Sequence, residues 1–222
     1  MRPIESILGL IYIVIQLLVL PLALVTINDW LPFSLSDAAL NFVNFAVNFI
    51  CITVIFHRYL IDSFKVILAG PWWFLRCCGQ GLIVYWISSF LINLLILALD
   101  PAFSNVNDNT IAQMTSQNYV LMSVGTVLLV PVVEETLYRG VVFGQLYRRN
   151  PAIGYIASTV IFASLHVVGY IGLYDPLQLL LCFVQYIPAG ICLAWTYVRS
   201  DTIWTPILIH ITINQIGMLS MR

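Results

Sequence analysis

Charge is what this sequence of 222 residues has least of. Asp, Glu, Lys and Arg together make up 9% of it, against about 25% in an ordinary soluble domain. So few charges cannot cover a water-facing surface, which excludes a soluble globular fold. The net charge of −1 excludes the basic face of a nucleic-acid binder. Cysteine is sparse too. Cys51, Cys77, Cys78, Cys182 and Cys192 contain no CxxC spacing, so neither a redox pair nor a cysteine zinc site is encoded. They read as reduced, apolar fillers, and the Cys77–Cys78 pair beside Arg76 carries only a weak acylation signal. There is no HExxH motif and no internal repeat of the kind that builds inverted-repeat transporters.

Hydrophobic residues, by contrast, make up 61% of the chain. They form runs suited to membrane helices rather than to barrel strands. Seven spans of roughly 20 residues each are expected, at about 7–27, 38–57, 81–99, 118–147, 152–170, 177–198 and 203–220. The fold class is therefore all-α: a polytopic transmembrane helix bundle, one continuous membrane domain with an N-terminal part (1–117) and a C-terminal part (118–222). The first span is too long for a signal-peptide core and lacks a clear cleavage site, so it is expected to stay. Segment 63–78 is broken by Gly70–Pro71 and carries Trp72 and Trp73; it reads as interfacial, not spanning. Asn41, Asn44 and Asn48 recur at helical spacing and read as interhelical glue.

The connecting segments alternate in charge. Arg58, Lys65 and Arg76, then Arg148 and Arg149, then Arg199 fall on one side of the bundle, and Asp29, Asp37, Asp100, Asp108 and Asp175 on the other. The positive-inside rule puts the basic side in the cytoplasm. The N-terminus is then cytoplasmic and the C-terminus outside, with Arg222 running mildly against the trend.

Charges inside the spans are functional candidates by default, because a charge in the bilayer core is costly. The sequence PVVEETLYRG places Glu134, Glu135 and Arg139 in the fourth span. One straight helix over 118–147 would be about 45 Å long, more than the bilayer core of about 30 Å. It must tilt, kink or protrude, and Pro131 supplies a kink that leaves the Val127 carbonyl without its usual donor. Glu135 and Arg139, four apart, can pair. Glu134 points elsewhere and has no cation one turn on. The fifth span carries FASLH, with Phe162 and His166 on one face; the seventh carries HITIN, with His210 and Asn214 on one face. A carboxylate can act as general base toward water, a histidine can orient that water, and an imidazole N–H and an amide can donate to an oxyanion. Together they would make a site for amide hydrolysis without a Ser or Cys nucleophile.

These residues resemble the motifs of the CAAX-protease and bacteriocin-processing (CPBP, or Abi) family of intramembrane endopeptidases, which includes the type II CAAX prenyl endopeptidases. The family's EExxxR, FxxxH and HxxxN stand here as EETLYR (Glu134 to Arg139), FASLH (Phe162 to His166) and HITIN (His210 to Asn214). The likeness covers roughly 118–220. It implies a conical intramembrane cavity open to the cytosol, with Glu134 and His166 activating water, His210 and Asn214 forming the oxyanion site, and Glu135, Arg139 and Phe162 in support. It implies a membrane-bound peptide or protein as substrate, in a membrane that is expected to be the bacterial plasma membrane. No cofactor is expected. Zinc held by Glu134, His166 and His210 is the alternative, although both histidines lack a carboxylate partner nearby in sequence. Two non-proteolytic readings use the same bundle: a membrane scaffold or bacteriocin-immunity protein, and a proton-coupled transporter.

Overall fold

The computed structural model describes residues 1–221. Among these residues there are eight helices: α1 (Pro3–Trp30), α2 (Asp37–Ala69), α3 (Pro71–Leu99), α4 (Val106–Gln117), α5 (Tyr119–Arg149), α6 (Pro151–Leu165), α7 (Pro176–Ser200) and α8 (Trp204–Ser220). Helices α1, α2, α3, α5 and α7 are long and apolar enough to cross a membrane. The sixth and eighth are shorter, at 15 and 17 residues; at about 1.5 Å per residue the sixth reaches about 22 Å, short of a bilayer core of about 30 Å. The seven expected spans thus correspond to seven helices in an all-α membrane bundle.

The chain starts its helices with side chains that accept the first free backbone N–H groups. Asn105 opens α4, Asn118 opens α5, Asn150 opens α6 and Asp175 opens α7 in this way. Pro151 and Pro176 follow their caps directly, where a missing N–H costs nothing.

Several sequence expectations need correction. Segment 63–78 is not a separate interfacial element. Residues 63–69 finish α2, Gly70 makes the turn, and Pro71 begins α3. A Gly–Pro pair ends one helix and starts the next equally well. The fifth span stops at Leu165, and His166 sits just past its end. Segment 100–117, read as a bare connection, contains the polar helix α4.

Helix α5 is the centre of the bundle. Half of its most apolar 18-residue stretch is buried, against 6% in α1. Leu137 and Val141 of α5 pack against Phe56 of α2 and Ile207 of α8 in the main core. α5 is not uniformly α-helical. Val124–Leu129 and Glu135–Phe143 are wound as π-helix, an arrangement common at functional sites. In π register the partner of residue 131 is residue 126, not 127. Pro131 therefore orphans the carbonyl of Thr126, and the Val127 expectation is off by one residue. Asn214 of α8 fills the vacancy, its Nδ2 donating to Thr126 O at 2.9 Å. The asparagine stripe of α2 is glue only in part: Asn48 accepts from Tyr12 at 2.9 Å, while Asn41 faces a cavity. Cys77 and Cys78 are buried and serve as fillers.

Antiparallel hydrogen bonds fix which helix ends lie together. Arg199 reaches Gln80 (2.9 Å), Thr202 reaches the Ser63 carbonyl (2.8 Å) and Trp204 reaches that of Leu60 (2.9 Å). This end holds every described Lys and Arg except the interior Arg139. The opposite end carries Asp29, Asp37, Asp100, Asp108 and Asp175 with no described basic residue. Arg222 lies outside the described residues.

Helix α6 is short but closely held. A Cβ on Gly190 of α7 would stand 3.0 Å from Cα of Thr159. The two helices meet backbone to backbone, as small residues permit in membrane bundles. Gly190→Val is expected to destabilise the protein by about 1–3 kcal/mol through overpacking, seen as a lower melting temperature in detergent.

Candidate active site

The site is built where α5, α6, α7 and α8 meet. A cavity of about 620 Å³ opens there, lined by Glu134, Phe162, His166, His210 and Asn214 among others. Five sequence-derived candidates from three separate motifs thus face one space. Glu135 and Arg139 do not line it. They are fully buried behind it.

Glu135 is the node of the buried layer. Its Oε1 accepts from Arg139 at 3.0 Å and from Nδ1 of His210 at 2.8 Å. The sequence pairs Glu135 with Arg139 but does not reveal the bond to His210, 75 residues on. That bond supplies the carboxylate partner that His210 lacks in its own neighbourhood. It fixes the ring: with Nδ1 donating to Glu135, Nε2 is the atom left for the cavity. In the neutral ring Nε2 is a lone pair, and it donates only in the imidazolium.

His166 is fixed differently. Its Nδ1 lies 2.8 Å from the carbonyl of Phe162. A carbonyl only accepts, so Nδ1 carries the hydrogen and Nε2 presents a lone pair. Phe162 is the common spacer. Its ring centroid is 4.7 Å from that of His166 and 5.9 Å from that of His210, and the Arg139 guanidinium lies 4.3 Å over it. Cation–π contact of this kind gains strength in a dry site. Glu134 completes the set. Its Oε2 is buried without a protein partner, and the residue lines the cavity. Asn214 spends one amide hydrogen on Thr126 and keeps the other.

A polar network around Tyr186 went unnoticed in the sequence. Tyr186 of α7 stacks on His166 with centroids 4.1 Å apart and an interplanar angle of 30°. Its hydroxyl accepts from Asn107 (3.0 Å) and donates to Asp108 (3.3 Å), both on α4. Asn105 donates to Gln185 (2.6 Å), which donates on to Asn93 of α3 (2.8 Å). Helix α4 is thus latched to the bundle at the cavity rim. Desolvation there holds the Asp108 carboxyl above its ordinary range, with the Tyr186 hydroxyl pulling the other way. The dipeptide Gln185–Tyr186 inside an apolar span, just before Pro188, was the available signal.

Among the described residues, no three His, Cys, Asp or Glu side chains converge as metal ligands. His210 is turned by Glu135 and His166 by the Phe162 carbonyl.

Residues 116–216 match the family model described as "Rce1-like: Type II CAAX prenyl endopeptidase Rce1-like". The three motifs lie within this matched segment, which covers less than half of the chain. The chain is also 33% identical over 95 residues to the "Putative membrane peptidase YdiL" of Bacillus subtilis (strain 168), covering 42% of this chain and 34% of that protein. It therefore spans about a third of that relative's length. No solved structure matches.

The buried pair generates a stability test. Removing one partner of a buried pair leaves the other charged and uncompensated, at about 3–5 kcal/mol. Arg139→Ala is expected to melt well below Glu134→Gln in detergent, because Glu134 has no ion-pair partner to lose. The reverse order would mean that Glu135 is not held by Arg139.

Proposed function

We propose that the protein is an intramembrane endopeptidase that hydrolyses a peptide bond with water activated by Glu134 and His166. Segment 116–216 carries the family likeness, and the named relative is a membrane peptidase by its printed description. The single observation that carries the reading is the convergence of Glu134, His166, His210 and Asn214 on one buried cavity.

In this reading Glu134 takes the proton from a water molecule, and Nε2 of His166 orients the same water as a hydrogen-bond acceptor. Attack on the peptide carbonyl places negative charge on its oxygen. The second amide hydrogen of Asn214 and, in its protonated form, Nε2–H of His210 stabilise that charge. Glu134 then passes the proton to the leaving nitrogen. Glu135 and Arg139 touch no substrate and position His210. The substrate is a membrane-associated peptide or protein: a CAAX-type tail, a peptide precursor or a bacteriocin leader.

Glu134→Gln keeps the shape and removes the base. Loss of a general base lowers rate by about 10² to 10⁴. Membranes of producing cells, compared by mass spectrometry of their peptides, are expected to show cleavage products with the parent protein and none with Glu134→Gln. Products at parental level with Glu134→Gln would sink the reading and favour a scaffold or immunity role, which tolerates loss of this carboxylate.

Water activation in this scheme uses side chains and no resident metal. Purified protein is expected to keep its cleavage activity after exhaustive chelation and to carry no stoichiometric zinc by elemental analysis. Activity lost on chelation and restored by zinc would recast Glu134, His166 and His210 as ligands.

A further inference from the structure

We infer that Tyr186 is a positioning residue of this site: the face of its ring sets the plane of the His166 imidazole, and the first turn of α4 holds Tyr186 in turn. The inference rests on the endopeptidase reading for what His166 does, and on packing alone for how His166 is held.

His166 has little else to fix it. It is the first residue past α6, where the regular helix has ended. Among the described residues, the one hydrogen bond of its side chain runs from Nδ1 to the Phe162 carbonyl. That bond selects a tautomer, but it lets the ring swing, because the χ2 torsion of histidine has a broad minimum. A nitrogen that orients a reacting water needs a fixed direction as well as a proton state. Tyr186 supplies the direction. The two rings stack with centroids 4.1 Å apart and planes 30° from parallel, whereas Phe162 meets the imidazole at 4.7 Å and a tilt of 50°. A stacked partner constrains the ring through its face and leaves its nitrogen edge clear. Nε2 thus keeps its lone pair for the water, which a hydrogen-bonding partner at that atom would take away.

Tyr186 is pinned at its far end. Its hydroxyl accepts from Asn107 at 3.0 Å and donates to Asp108 at 3.3 Å. One partner would satisfy a buried tyrosine; two partners on one turn also fix where its ring points. That turn is held in its own right. The side-chain oxygen of Asn105 accepts from the backbone N–H groups of Asn107 and Asp108, at 2.9 and 3.3 Å. The amide of the same Asn105 donates to Gln185, the residue before Tyr186, at 2.6 Å. Two neighbouring residues of α7 are therefore tied to the first turn of α4. The line of support runs from the Asn105 cap through Asp108 and the phenol ring to the imidazole, as a preorganised site requires of the groups behind it.

Two readouts test this. The first is cleavage of the peptide identified by mass spectrometry in producing membranes, made synthetically with its flanking residues. Tyr186→Leu removes the ring and is expected to lower kcat about 10- to 100-fold, the cost of misplacing a reacting group by about 1 Å, with KM near the parent's. Tyr186→Phe keeps the stacked face, loses only the tether, and is expected to recover most of that loss. The second readout needs no substrate: NMR of histidine-labelled protein in detergent, with His166→Gln assigning the signal. The parent is expected to show one tautomer of His166, protonated at Nδ1. In Tyr186→Leu the ring is expected to swing off the Phe162 carbonyl and to average the two tautomers. If Tyr186→Leu does not accumulate, Tyr186→Met removes the ring with less change of volume. A raised KM at parental kcat, a Phe variant as slow as the Leu variant, or a single His166 tautomer kept in the Leu variant overturns the inference. Ordering of His166 that depends on Tyr186, without any Glu134-dependent cleavage, would sink the endopeptidase reading and leave the positioning standing. Glu134-dependent cleavage at parental kcat in Tyr186→Leu would do the opposite.

Discussion

A fully buried carboxylate shared by an arginine and a histidine organises this protein. Glu135 cannot stay charged in an apolar interior without partners. It finds Arg139 one turn away on α5 and His210 on α8. The price of burying these groups is a demand for fixed geometry, and that demand welds α5 to α8. Phe162 on α6 is drawn into the same unit, because its ring lies under the Arg139 guanidinium and touches both histidines. Three helices are thereby locked around one point. Glu134, His166 and His210 then line the cavity from one wall.

Much of this was legible in the sequence, for a physical reason. In a membrane span a carboxylate, a guanidinium or an imidazole stands out against apolar neighbours, and its cost singles it out as functional. Glu134, His166, His210 and Asn214 could be named because most of each span around them is apolar. Partners on the same helix, such as Glu135 and Arg139, follow from the i,i+4 rule. Partners on different helices do not. The bond from His210 to Glu135 and the stack of Tyr186 on His166 depend on helix adjacency, which no local pattern encodes. Tyr186 was also camouflaged, since a tyrosine in an apolar span reads equally well as an interfacial ring.

Helix boundaries were less legible than helix existence. Gly70–Pro71 signals a break, but the same signal marks an interfacial segment and a tight turn between two long helices. Composition could not separate them; packing did, through Thr202 and Trp204 bonding to the end of α2. The helix α4 was hidden for a different reason. Its sequence, VNDNTIAQMTSQ, is polar enough to pass for a loop, and it becomes helical on the Asn105 cap with the support of Tyr186 and Gln185.

The bond from Asn214 to the Thr126 carbonyl has a mechanical meaning. The carbonyl is free because Pro131 has no hydrogen to offer, and Pro131 lies three residues before Glu134. The amide donor of one helix is therefore clamped to the stretch of backbone that carries the carboxylate of another. The two groups cannot drift apart independently: any sway of α5 carries Asn214 with it. Thermal breathing of the bundle then changes the width of the cavity mouth more readily than the spacing of Asn214 from the backbone that carries Glu134.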